Sequence, residues 1–398
     1  MLTTFSLASY LISILVSLTP TSPAKETKHW YKGNLHTHSY WSDGDEYPEM
    51  ILDWYKTHQY DFIALSDHNT LSRDEKWVKV VKSRMYEDSF QNYLKRFGEN
   101  WVTYKIDSGR TNVRLKTYPE YKQKMEDQRF LIFAAEEISD RFEGKPLHMG
   151  GINLQNVIPP QGGSSVTETL QHNIDAVLQQ RKETGIPMFP HINHPNFYYA
   201  LTAQDMIGLH GERFFEVYNG HPQVHNEGDA THPGTEALWD EINIAYHKRG
   251  QPLLLGLGTD DSHSYHQFGS AYANAGRGWV MVYADSLKPG SLIGALERGD
   301  FYASSGVILK NVTLNNRDIA IEVQPETGIK YTIEFIGAQK DADKSSVLSR
   351  VEGTKAKFKV TSQHMFVRAR ITSTKLKENP YKDKEVEMAW TQPIEYGH

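Results

Sequence analysis

Five times along this chain a short, almost unbroken apolar run ends abruptly in polar or ionisable side chains. "DFIAL" passes into "SDHN", "RFLIFAA" into "EEIS", "IPMF" into "PHINHPN", "RFFEV" into "YNG", and "PLLLGLG" into "TDDSHS". Runs of this length without polar alternation fit strands buried on both faces, the condition of a parallel sheet covered by helices. Helical patterns fall between them. One covers about 48–58, with Pro48 in its first turn and Met50, Ile51, Trp54 and Tyr55 on one side. Another covers about 165–184, with Leu170, Ile174, Val177 and Leu178 at helical spacing and Gly185 closing it. A third covers about 234–249, carries Leu238, Ile242 and Ala245, and ends at Gly250. Adding "GNLHTHS" and "PLHMGGINL" brings the strand count to seven. The expected class is α/β, a closed or nearly closed (β/α) barrel, because the ionisable residues gather at the carboxyl ends of the strands, where such barrels build their sites.

Two segments depart from the alternation. Residues 74–128 are charged and aromatic and too long for a plain crossover, so they read as an insertion with helices of its own that could form a lid. From about 307 the pattern changes to period two, as in Ile319, Ile321, Val323 and Met365, Val367, Ala369, Ile371. That is the signature of an antiparallel β module, expected to pack on the barrel as a small sandwich and to close one side of the pocket. The expected organisation is a signal peptide over 1–24, a barrel over 25–306, and the β module over 307–398.

Composition narrows the function. The net charge of -6 offers no basic footprint for a nucleic-acid duplex, so the expected partner is a small-molecule substrate. The apolar stretch from Phe5 to Leu18, followed by small residues up to Ala24, reads as a secretory signal cleaved near Ala24, leaving no stable membrane span. The absence of cysteine excludes disulfides and thiolate metal sites, and together with export it suits a secreted or periplasmic bacterial enzyme. Nothing in the sequence speaks to the number of chains that associate.

The groups at the strand ends are His36, His38, Asp43, His68, Glu137, His148, His194, Asp261 and His263. His36 and His38 share a face of an extended chain, the spacing of a chelate. Nitrogen and oxygen ligands without sulfur suit zinc, manganese or iron. Nine ligands exceed the needs of one ion and imply two or three divalent ions with an open position for water or substrate.

Six segments, in this order, resemble the motifs of the polymerase and histidinol phosphatase (PHP) metal-dependent phosphoesterases: "GNLHTHSYWSDGD", "ALSDHN", "EEIS", "HMGG", "NHPN" and "GTDDSH". The resemblance runs from about residue 30 to 305. The apolar leader, "EVYNG", "FYASSGV" and the appended β module are similar to the exported branch of this family that includes carbaryl hydrolase. The resemblance implies a distorted seven-stranded (β/α)7 barrel. It assigns a first metal to His36, His38, Glu137 and Asp261, a second to Glu137, His148 and His194, and a third to Asp43, His68 and His263. Glu137 rather than Glu136 aligns with the family's Glu-Ile-Ser triplet, and Asp261 rather than Asp260 keeps the Asp-x-His spacing to His263.

Such a cluster in a barrel mouth attracts a phosphoryl group, and metal-bound hydroxide is available near neutral pH to attack it. The expected function is an exported hydrolase of small phosphomonoesters or diesters. His191 and His266 are candidates for protonating the leaving group, and Arg277, in "NAGRGW", for gripping the substrate anion. A carbamate, ester or amide hydrolase using the same metals is the alternative, and a non-catalytic binding protein a third. His221, His225 and His232 read as loop polarity or as substrate contacts. Tyr218 and Asn219 line the pocket or cap their strand, and Asp67 orients its neighbour or a loop amide.

Overall fold

The computed structural model describes residues 28–397, so the segment read as an export signal lies outside the described residues. Among those described, no helix is long and apolar enough to cross a membrane.

Seven strands stand where the apolar runs end: His29–Asn34, Phe62–Leu65, Leu131–Phe142, Lys145–Ile152, Phe189–Ile192, Phe214–Asn219 and Leu255–Thr259. They are neighbours in chain order within one sheet. Four of them are buried along their whole length, which is why they read as continuous apolar runs. The expected helices form at Pro48–Thr57, Val166–Thr184 and Thr235–Lys248. The second is capped by Ser165, whose hydroxyl accepts the Glu168 N–H, and ends at Gly185 with φ 67°.

The sheet is mixed rather than parallel throughout. Pairing is parallel from the first strand to the third and from the fifth to the seventh. Lys145–Ile152, however, runs antiparallel to both its neighbours. Only Glu143 and Gly144 separate it from the preceding strand, both at positive φ (47° and 82°), and a two-residue turn of this kind can only make a hairpin.

The hydrogen-bond ladder also does not close on itself. His29–Asn34 pairs on its outer side with Trp279–Ala284, and Leu255–Thr259 is the sheet's terminal strand. The side-chain amide of Gln392 takes up the free edge, accepting the Gly256 N–H at 2.8 Å and donating to the Gly256 carbonyl at 3.0 Å. The first and seventh strands meet only past their carboxyl ends. There Thr37 pairs with Ser262, His38 N–H donates to the Ser262 carbonyl, and Asp261 N–H donates to the His36 carbonyl. The result is a mixed α/β architecture drawn together at the end where the ligands lie.

The sheet continues through Trp279–Ala284 and Phe301–Ser304 into the antiparallel strands Val386–Thr391, His364–Leu376, Tyr331–Gln339 and Ser346–Glu352. A second sheet of Leu309–Leu314, Asp318–Val323 and Lys355–Lys359 packs over them around Ile321, Ile333, Phe335 and Val367. Residues 74–128 contain the helices Arg84–Phe97 and Tyr118–Met125 and a three-stranded sheet. Their core of Phe90, Tyr93, Val102 and Val113 takes in Trp41 and Tyr47, on either side of Asp43. The insertion thus braces the loop after the first strand from behind.

Candidate metal centre

The nine candidate ligands named from the sequence converge past the strand ends. Glu137 is at the centre, with its carboxylate 1% exposed. Its Oε1 lies 3.1 Å from His148 Nδ1, 3.1 Å from His194 Nε2 and 3.3 Å from His36 Nε2. Its Oε2 lies 2.8 Å from His68 Nδ1 and 3.5 Å from His38 Nε2. Asp261 Oδ1 lies 3.2 Å from His36 Nε2 and 3.3 Å from His38 Nε2. Asp43, at the exposed lip, stands 3.4 Å from both His68 Nε2 and His263 Nε2.

Four groups of ligand atoms are close enough to hold an ion: His38, Asp43, His68, His263; His36, His38, Asp261; His36, Glu137, His194; and His68, Glu137, His148. The partition differs in detail from that implied by the resemblance, since His68 joins a group with Glu137 and His148, His194 falls in a separate group, and His38 also joins the Asp43 group. The donor chemistry fits divalent cations. His36 Nε2 and His38 Nε2 face each other at 3.1 Å, and two imidazole lone pairs so close need a proton or a cation between them.

Local geometry explains why these residues point inward. Alternation along Leu131–Phe142 turns Glu137 to the site and Glu136 away, where its Oε1 accepts the Ile158 N–H at 2.6 Å. Asp261 has φ 49°, a left-handed conformation that Asp tolerates, and this separates it from Asp260. Asp260 instead accepts the N–H groups of Gly276, Arg277 and Gly278 and the Tyr55 hydroxyl.

The charges compensate one another. Burial alone would favour a protonated Glu137, but His148, His36 and His68 hold its pKa well below the ordinary carboxylate value. Asp261 is held down in the same way, against its burial, by His36, His38 and His263. Burial opposes charge on His68, yet Glu137 and Asp43 raise it to about 11, while burial and the neighbouring His263 push His38 down to about 3.

Two supporting residues, Glu216 and Asn193, escaped the sequence reading. Glu216 is fully buried; its Oε1 lies 2.7 Å from His36 Nδ1, and its Oε2 accepts from the His194 N–H and from Asn219 Nδ2, each at 2.8 Å. Its signal was a lone carboxylate inside the apolar run "RFFEV". Asn193 Nδ2 donates to Glu137 Oε1 at 2.7 Å, and Asn219 Nδ2 donates to Asp261 Oδ2 at 3.1 Å. Asn219 therefore supports a ligand, whereas the Tyr218 hydroxyl turns away to Glu385. Asp67 accepts from Ser39 and Ser42, fixing the loop that follows His38.

The three residues proposed to touch substrate do not reach it. His191 is 0% exposed, with neither ring nitrogen partnered, and lies edge-on to His36 at 6.5 Å between ring centroids. His266 donates to the Asp45 carbonyl at 3.0 Å or pairs with Glu46 at 3.2 Å, tying down a loop. Arg277 is 0% exposed, and its guanidinium is spent on the carbonyls of Gly220, Gly269, Tyr272, Asn379 and Pro380. A guanidinium so committed has no fork left for a substrate anion.

A cavity of about 680 Å³ opens over the cluster, lined by seven of the nine candidate ligands together with Phe197, His221, Pro222, Gln223 and the 264–273 loop. Neither the 74–128 insertion nor the C-terminal β module contributes to its lining, so neither acts there as lid or wall.

No family model matches the chain, and no curated protein does. Among solved structures, the chain is similar to a two-domain protein from Bacteroides vulgatus containing a predicted PHP-like metal-dependent phosphoesterase, at 14% identity and a TM-score of 0.42, covering 92% of this chain and 95% of that one. A Bifidobacterium adolescentis protein with the same kind of assignment, metal-dependent phosphoesterase, matches at 11% identity and a TM-score of 0.29, covering 62% of this chain and 91% of that one.

Proposed function

We propose that this protein is a metal-dependent hydrolase of the PHP type, cleaving small phosphomonoesters or diesters. The observation that carries the reading is the convergence of six histidines and three carboxylates around Glu137 at one end of the sheet. Two or three zinc, manganese or iron ions fit this donor set, and when bound they supply Lewis acidity and acidify a water for attack on an ester. The distorted barrel of that family is supported by the Thr37–Ser262 bridge that draws the first and last strands together. Export to the periplasm or medium is proposed from the 1–24 sequence alone.

The chain's own residues prepare the site. Glu216 at His36 Nδ1 holds that proton, so that Nε2 presents its lone pair to the centre. Asn193 and Asn219 fix the Glu137 and Asp261 carboxylates, sparing reorganisation when charge develops. Burial of His36, His38 and Glu137 excludes water from the inner side, while Asp43 at the lip stays 57% exposed and faces the entering substrate.

A carbamate, ester or amide hydrolase with the same metals is a second reading, favoured by the lack of any lysine or arginine among the described residues lining the cavity. Elemental analysis combined with a panel of nitrophenyl phosphate, bis-nitrophenyl phosphate and nitrophenyl acetate separates the two. His36→Ala and Glu137→Ala are expected to lose bound metal and turnover together. Turnover confined to the acyl ester would sink the phosphatase reading, and full turnover by a metal-free double variant would sink the metal centre.

A further inference from the structure

The cavity wall beyond the nine ligands has no formal charge. Phe197, His221, Pro222, Gln223, Ser264 and Ala271 line it, and no lysine or arginine among the described residues does. The guanidinium nearest in sequence to this rim, Arg277, is fully buried and committed to backbone carbonyls. Any charge that a substrate carries away from its scissile group would therefore meet no counter-ion.

The wall is a built surface. Phe197 N–H donates to the His194 carbonyl at 2.8 Å, and Phe197 pairs with Val224, joining the loop after the fifth strand to the loop after the sixth. This sets the Phe197 ring 5.0 Å from the His194 ring and, edge to face, 5.7 Å from the His221 ring. His221 Nδ1 accepts the Gln223 N–H at 3.2 Å, which assigns the ring proton to Nε2. The His221 ring stands 5.5 Å from that of His263 and lines the cavity. An apolar ring face and a neutral N–H donor thus border the metal cluster on one side.

Resting on the phosphoesterase reading above, we infer that the site selects esters whose leaving group is uncharged and aromatic or apolar, packed on Phe197 beside the neutral His221 ring. A leaving group bearing a carboxylate has to shed its hydration against Phe197 and Pro222 with nothing to pair it, and an unpaired buried charge is costly. The expected discrimination is on the order of 100-fold, the scale on which sites reject groups they leave unpaired.

The test uses the full chain reconstituted with manganese and two non-hydrolysable probes, phenylphosphonate and 4-carboxyphenylphosphonate, titrated calorimetrically. The inference expects phenylphosphonate to bind on the order of 100-fold more tightly, the discrimination worked out above. Phe197→Ala should weaken phenylphosphonate, and Gln223→Lys should narrow the gap by improving the carboxylated probe. Equal binding of the two probes would overturn the inference while leaving the phosphoryl site intact. Failure of both to bind a protein shown to hold metal would overturn the phosphoryl reading and the inference with it.

Discussion

Glu216→Gln changes one atom, yet the structure makes it a severe test of the centre. Glu216 has two separate acceptor duties: Oε1 faces His36 Nδ1 at 2.7 Å, and Oε2 receives the His194 N–H and Asn219 Nδ2, both at 2.8 Å. A glutamine has only one carbonyl oxygen. Placed on the side with two donors, it leaves its NH2 facing His36 Nδ1, which must then accept. The imidazole proton moves to Nε2, the atom that lies 3.2 Å from Asp261 Oδ1 and 3.3 Å from Glu137 Oε1. A protonated Nε2 cannot be a ligand. Losing the partner that orients a metal-bound histidine costs about 10–100-fold in metal affinity, or roughly 1.4–2.7 kcal/mol. The placement of the variant's oxygen is forced by Asn219 and the His194 backbone, so the upper part of that range is expected. Competition with a chromogenic chelator measures the affinity, and thermal unfolding of the metal-free proteins separates a ligand effect from general damage. A variant that keeps wild-type metal affinity would refute the tautomer argument.

Arg277→Ala should act on stability rather than on substrate. It strands several buried carbonyls, and each buried acceptor left unsatisfied costs about 1–3 kcal/mol; a raised KM with unchanged unfolding would contradict this. Glu46 gives a pH signature. Burial pushes its carboxyl from 4.5 up to about 8, so between those values the folded chain keeps a proton that the unfolded chain has released. Its contribution is therefore full below pH 4.5 and lost as pH rises towards 8, and Glu46→Gln should flatten this fall in urea titrations at pH 5 and pH 8. Parallel curves for the two proteins would count against it. Gly150→Ala would put a methyl group 1.9 Å from Nε2 of the fully buried His191, so a loss of about 1–3 kcal/mol is expected in thermal melts, and an unchanged midpoint would show that His191 is free to move.

The candidate ligand residues were legible from the order and spacing of their motifs, helped by local rules. Strand alternation sends Glu137 one way and Glu136 the other, and an H-x-H pair in extended chain shares a face whatever packs around it. The apolar runs likewise marked where buried strands end. Parallel order was less legible, since it turned on the two-residue Glu143–Gly144 turn, which makes a hairpin where alternation suggested a crossover.

Arg277 and Glu216 show the limit most clearly. In "NAGRGW" an arginine among glycines looks free to reach a ligand, but carbonyls from residues 220, 269 and 272 on one side and 379 and 380 on the other surround it. Glu216 becomes a partner of His36 across 180 positions of chain. Backbone direction and the face a side chain takes are settled within a few residues, and so the chain alone determined which groups could ligate. Whether a buried charge is spent on the fold or left for chemistry depends on which distant groups arrive beside it, and only the assembled tertiary structure, where burial makes an unpaired charge too costly to leave alone, decided that.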